Sequence, residues 1–129
     1  MEIKAEGFRI RTLEADDRFQ LKKWEDFDDP LFYGYNYSDM TDGELCFWFT
    51  SKQFPFRSKY FAVLDDNDFM FAYFGMKEIN RFNACSKLGI VIEKSYVSKG
   101  YGYKIMRLFL DYYFNNLAMK RLVLEVNEW

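Results

Sequence analysis

Histidine is absent from this chain of 129 residues. That removes the side chain most often used near neutral pH as a general base and as a metal ligand. Cysteine occurs twice, at Cys46 and Cys85, far apart. No zinc-binding spacing results, and no metal is expected. Cys46 lies between Leu45 and Phe47 in a predicted helix and is expected to be a buried structural thiol. Cys85 is expected at a turn before a strand. Long apolar runs are missing too: none approaches the ~20 residues of a membrane span. The first residues, MEIKAEGF, lack the apolar stretch of a signal peptide. The expectation is a cytoplasmic protein without a membrane partner. There is no basic excess, the net charge being −2. Without a basic patch interleaved with aromatics, a nucleic-acid partner is not expected.

What is present describes a globular chain. Half the residues are apolar and 22% are aromatic, which a ring-packed core explains. The length allows one domain, residues 1–129, burying roughly two-thirds of its unfolded surface. Acidic residues gather early, at Asp16, Asp17, Asp26, Asp28, Asp29, Asp39, Asp42 and Glu44. Helix ends and loops account for most of them. A negative field attracting a cationic substrate is the functional alternative.

Alternation over Phe8–Leu13 reads as a strand. Glu14–Trp24 reads as a helix with acids in its first turn, where the helix dipole favours them. Pro30 and Gly34 mark a loop. Thr41 and Glu44 fit a capping box, opening a helix to about Gln53 before Pro55. Tyr60–Leu64 and Phe69–Ile79 flank the turn Asp65–Asp68 and read as a hairpin. Leu88–Ile92 is the next strand, where Gly89 predicts a bulge or a close backbone approach. From Gly100 to about Leu117, Lys104, Arg107, Asp111 and Asn115 form one narrow polar stripe on an otherwise apolar helix. Arg121–Val126 is a last strand. Strand, helix and strand from 88 to 126 form a right-handed crossover with parallel pairing. The class is α/β with a mixed sheet.

The stretch Leu88–Tyr103, LGIVIEKSYVSKGYGY, runs from a strand through a glycine-bearing loop into a helix. The first N–H groups of a helix have no partners within it and point at any anion placed there. A dinucleotide fingerprint would need a third glycine where Ile105 stands, and a P-loop would need Gly-Lys-Ser/Thr. Neither occurs. A tight strand-to-helix turn without a ligand remains open on spacing alone.

Residues Ile90 to Gly102, IVIEKSYVSKGYG, resemble the acyl-CoA signature of the GNAT N-acetyltransferases, a strand leading through Arg/Gln-x-x-Gly-x-Gly/Ala into a helix. The order of elements resembles that family over almost the whole chain. The resemblance implies acetyl-CoA as co-substrate and a primary amine as acceptor: a polyamine, a protein N-terminus or another small amine. It implies that the pyrophosphate lies on the N–H groups of Val97, Ser98, Lys99, Gly100, Tyr101, Gly102 and Tyr103. The pantetheine arm would pair along Ile90, Val91 and Ile92. Because the amine attacks the thioester directly, no nucleophilic residue is required. Val97 departs from the usual Arg/Gln, and Ser98 is expected to cap the helix instead. Lys99 and Lys104 are candidate phosphate neighbours. Glu125 stands where some members place a general base, with a structural carboxylate as the alternative. Tyr33, Tyr35 and Tyr37 are candidates to line the acceptor side. The family pattern continues past LEVNEW with a helix and two strands, so a fold lacking those elements is expected. The alternative to an enzyme is a catalytically weak CoA-binding or protein-interaction module. An open edge after the last strand favours a homodimer that covers it.

Overall fold

A charged hairpin opens the sheet. In the computed structural model, which describes residues 2–53 and 57–125, β1 (Glu2–Ala5) pairs antiparallel with β2 (Phe8–Thr12). Strand β1 carries too little apolar character to be read from sequence. It is an edge strand bearing Glu2 and Lys4, and charged side chains suit an edge that must not recruit other chains. The chain turns at Gly7, whose φ of 89° is the left-handed conformation that glycine tolerates best.

Residues Ala15–Lys23 form a 3-10 helix, not the α-helix expected over Glu14–Trp24. Leu21 and Trp24 are buried, three residues apart, and a 3-10 turn eclipses that spacing. Asp17 turns inward as well. Its carboxylate accepts 2.8 and 2.7 Å hydrogen bonds from the Arg11 guanidinium and a 2.7 Å bond from Glu14 N–H. A second 3-10 helix spans Pro30–Tyr35.

Helix α1 (Asp42–Ser51) begins at the expected capping box. The Thr41 hydroxyl accepts from Glu44 N–H at 3.1 Å, and Glu44 accepts from Thr41 N–H at 3.0 Å. Its buried residues are Leu45 and Trp48, a spacing that turns Cys46 outward. The buried thiol expected there is therefore corrected: Cys46 is exposed.

Strands β3 (Lys59–Asp65), β4 (Met70–Asn80) and β5 (Cys85–Ile92) follow as antiparallel neighbours. Cys85 starts β5, three residues earlier than the strand read from sequence. Gly89 makes no bulge, because it pairs in register with Gly75 of β4. The irregularities fall at Val63/Leu64 and Lys77/Asn80. Helix α2 (Tyr101–Asn115) then crosses back to β6 (Arg121–Glu125), which runs parallel to β5. The sheet order is β1-β2-β3-β4-β5-β6.

Alternate residues feed the two faces, as strand geometry requires. Phe61, Phe74 and Leu88 pack with Ile105, Phe109 and Tyr113 of α2. Ala62, Leu64, Tyr73 and Val91 pack with Leu21, Trp24, Leu45 and Trp48. Phe109 lies 5.0 Å from the Phe61 ring and 4.6 Å from Phe74. The Tyr113 hydroxyl bonds Ser86 Oγ at 3.0 Å and donates to the Arg121 carbonyl at 2.6 Å. One side chain thus ties α2 to both parallel strands. The polar stripe of α2 is solvent-facing at Lys104, Arg107, Asp111 and Asn115.

Candidate functional site

Three pieces of backbone meet around β5: a glycine hollow, a strand edge and the turn into α2. The turn is built on buried groups. Glu93, immediately after β5, is 2% exposed. Its carboxylate accepts from Ser95 N–H and Glu25 N–H, each at 3.1 Å, and from the Ser95 hydroxyl. Three donors make burial of that carboxylate tolerable. Under the turn, Tyr96 stacks on Phe71 with 4.5 Å between ring centroids. Its hydroxyl donates to Asp65 at 2.7 Å. Burial first, and then Asp65, push the Tyr96 phenol up to about 12.

Above these rings the backbone reverses through two left-handed residues, Ser98 at φ 62° and Gly100 at φ 83°. Gly100 is the N-cap of α2, and no side chain caps that helix. Ser98 is therefore not the cap expected from sequence; it lies two residues upstream in a left-handed turn. The N–H groups of Tyr101, Gly102 and Tyr103 open the helix and lie beyond the reach of its internal bonds. A Cβ on Gly102 would lie 3.4 Å from Ile92 Cδ1, so the helix start approaches the strand end closely. Val97 is half-buried, and Lys99 and Lys104 are exposed. Lys104 Nζ sits 5.9 Å from the Tyr101 ring centroid.

Along β5, residues Ile90, Val91 and Ile92 pair with Phe74, Tyr73 and Ala72 of β4. On the other side, β6 pairs only from Cys85↔Arg121 to Gly89↔Glu125 among the described residues. The edge of Ile90–Ile92 on that side carries no described partner. It leads toward the turn at α2.

At the other end of this edge, Gly75 and Gly89 face each other across β4 and β5. Two missing side chains leave a hollow on the α1 face of the sheet. The Tyr60 ring fills part of it: a Cβ on Gly75 would lie 2.3 Å from Tyr60 Cε2. The remaining cavity has a volume of about 200 Å³, lined by Tyr35, Lys52, Tyr60, Tyr73, Lys77 and residues 89–91. Tyr73 is buried, and its hydroxyl lies 2.5 Å from that of Tyr37. Burial pushes the Tyr37 phenol up to about 12 and also raises Tyr73 well above the usual tyrosine range. Lys52 is shifted below the usual lysine range by burial and by the charge of Lys77.

Of the tyrosines named from sequence, Tyr35 lines the cavity, Tyr37 backs it through Tyr73, and Tyr33 is 55% exposed. The backbone of Glu125 pairs with Gly89, at the mouth of the hollow. Its side chain, and Val126 to Trp129, lie outside the described residues. Sequence reasoning missed Lys52, Tyr60, Tyr73, Gly75 and Lys77. The alternation Tyr73-Gly75-Lys77 was the available signal, once β4 is paired with β5. The early acids are placed elsewhere. Asp28 pairs with Lys94 and Asp42 with Lys22, each at 2.8 Å, and Asp29 and Glu44 cap helices. A larger groove of about 850 Å³ runs along the outer flank of α2, lined by Ala5, Arg107 and Phe114 among others, and misses β5. Among the described residues, no group of three or more Cys, Asp or Glu could hold a metal ion, and no helix is long and apolar enough to cross a membrane.

A family model for the acetyltransferase (GNAT) domain matches residues 8–129. The chain belongs to the GNAT acetyltransferase family. No curated protein sequence matches it. Among solved structures, this GNAT domain is similar to a chimera of spermidine N-acetyltransferase SpeG from Vibrio cholerae and hSSAT. The TM-score is 0.74 at 19% identity, over 92% of this chain and 69% of that one. It is also similar to the Vibrio cholerae spermidine N-acetyltransferase in complex with CoA and spermine, with TM-score 0.72, 19% identity, and coverage of 93% and 71%. At such identity the likeness is one of fold, and the mixed sheet expected from sequence is the GNAT fold.

Proposed function

We propose that this GNAT domain transfers an acetyl group from acetyl-CoA to a primary amine. The observation that carries the reading is the edge of Ile90–Ile92, which runs from the Gly75–Gly89 hollow to the turn that opens α2. The N–H groups from Ser98 to Tyr103 would take the pyrophosphate, where a helix start favours anions; that of Val97 donates instead to the Lys94 carbonyl at 3.3 Å. The edge of Ile90, Val91 and Ile92 would pair with the amide-bearing pantetheine arm as with a neighbouring strand. The thioester would then lie beside Gly89, where a backbone N–H can polarise its carbonyl.

Catalysis then needs a neutral amine near the thioester. Its nitrogen attacks the carbonyl carbon, the C–S bond breaks, and CoA leaves as the thiolate. Before attack the ammonium gives one proton to Glu125, whose backbone pairs with Gly89, or to water; the second, shed by nitrogen as the amide forms, goes through water to the departing thiolate. No covalent enzyme intermediate arises, which suits a chain without histidine. The fold of a neighbour crystallised with CoA and spermine supports both halves of the reading.

Two measurements test it. Acetyl-CoA at about a hundred times its Kd should stabilise the domain by about 2.7 kcal/mol, raising Tm by about 10 °C. No rise at millimolar acetyl-CoA would refute the reading. Thiol release with an amine panel then separates enzyme from binder: stabilisation without release would leave a CoA-binding module. Within that assay, Glu125→Gln should lower kcat on the order of a hundredfold, the scale of a general base. An unchanged kcat would assign the proton to water.

A further inference from the structure

Helix α2 buries one side against the sheet and leaves a second apolar stripe bare. Tyr103 is 71% exposed and Phe114 43%. With Arg107 and Leu110 they follow the spacing i, i+4, i+7, i+11, which an α-helix gathers within about 60° of its circumference. The buried residues Ile105, Phe109 and Tyr113 lie on the other side. The stripe lines the groove of about 850 Å³, to which β1 contributes Ala5. Strands β1 and β6 are opposite edges of the sheet, so this groove is not at the edge after β6, where a homodimer is expected from sequence. A contiguous apolar groove on the surface marks an interaction site.

The charges beside the stripe say what covers it. Arg107 and Asp111 are exposed one turn apart, and they do not satisfy each other. Asp111 accepts from Asn115 Nδ2 at 2.8 Å, and among the described residues no carboxylate pairs with the Arg107 guanidinium. A second α2, turned antiparallel about a two-fold axis at the level of residue 109, sets Arg107 of each copy opposite Asp111 of the other. The same rotation sets Lys104 against the Phe114 ring, a cation–π pairing, and Leu110 against Leu108. All six residues line the groove. We propose that this face of α2 is the isologous interface of a homodimer, in which each copy is the other's partner. The apolar stripe supplies the affinity. Exposed ion pairs add little energy, but they fix the antiparallel register. The 15 residues of α2 present a face of roughly 22 Å by 10 Å, well under the ~800 Å² per partner of a standard interface. The dimer is therefore weak and reversible, with a Kd in the micromolar range.

Sedimentation equilibrium tests this without reference to acetyl transfer. The unaltered domain should pass from monomer to dimer across the micromolar range. Arg107→Glu and Asp111→Arg should each weaken self-association about tenfold or more, because like charges then meet twice in every dimer. Mixed in equal amounts, the two variants should recover the unaltered affinity, since each charge again meets its opposite across the mixed pair. Circular dichroism checks that each variant is folded, as expected for exposed positions. Should either lose its fold, Phe114→Ser reads the same face without a change of charge. Association about tenfold weaker in that variant supports the proposal, and unchanged association overturns it. A domain that stays monomeric up to about millimolar concentration overturns it as well. So does a dimer that withstands both charge reversals, which would move the interface to another surface such as the edge after β6. A mixture of the two variants that associates no more tightly than its components would overturn the antiparallel pairing and the proposal with it.

Discussion

Gly102→Asp should weaken acetyl-CoA binding on the order of a hundredfold or more while leaving the fold as stable as before. Gly102 is the second residue of α2, and its N–H is among those that no helical carbonyl can reach. A side chain added there meets Ile92 Cδ1 at 3.4 Å, a terminal methyl that can give way. Replacing a helical glycine removes a penalty of roughly 0.5–1 kcal/mol. An acid in the first turn adds about 0.3–1 kcal/mol from the helix dipole. The folded state therefore loses nothing. The proposed pyrophosphate would meet a carboxylate well within the ~8 Å screening length of physiological salt, and such like-charge contacts cost several kcal/mol. Calorimetric titration reads the affinity, and thermal melts without ligand read the fold. Gly102→Ala is the control, keeping the N–H and adding no charge. An Asp variant binding acetyl-CoA within threefold of the unaltered protein would remove the pyrophosphate from this turn.

The strand-to-helix turn proposed to hold the pyrophosphate was legible because its signals are local. The strand, the Gly100-Tyr101-Gly102 turn and the polar stripe of α2 lie within thirty-odd consecutive residues, and each has its own period or turn chemistry. The capping box at Thr41 and Glu44 is local in the same way. What escaped depends on partners distant in sequence. Asp17 reads as an ordinary helix-start acid, but Arg11 on β2 draws it inward and the segment winds as a 3-10 helix. Glu93 reads as one polar residue in a turn, and one of the three donors that make its burial tolerable, Glu25 N–H, comes from far off in the sequence. Cys46 was misplaced by a single position on α1: the buried face is set by Leu45 and Trp48, which leaves Cys46 and Phe47 outside. The lysine-lined cavity needed β3, β4 and β5 in register before Tyr60, Gly75 and Gly89 could be seen to meet.

Gly75→Ala should test that meeting by changing sign with its background. In the unaltered protein the new methyl would stand 2.3, 2.5 and 2.6 Å from Cε2, Cζ and Cδ2 of Tyr60. Three ring atoms on one side cannot be cleared by a small rotation, so the ring has to swing off the sheet. Overpacking of this kind costs about 1–3 kcal/mol, a Tm loss of roughly 4–10 °C for a domain of this size. The displaced ring is also a cavity wall, so kcat/KM for the amine should fall while stabilisation by acetyl-CoA persists. With Tyr60→Ala already in place, the methyl meets no ring. Alanine is then better in a strand than glycine by roughly 0.5–1 kcal/mol, because it gives up less backbone entropy on folding. The same substitution should therefore destabilise beside Tyr60 and stabilise beside Ala at that position, a coupling that urea melts of the four-member cycle would resolve. Equal destabilisation in both backgrounds would mean that Gly75 is required by something other than the Tyr60 ring. The hollow over β4 and β5 would then have a different origin.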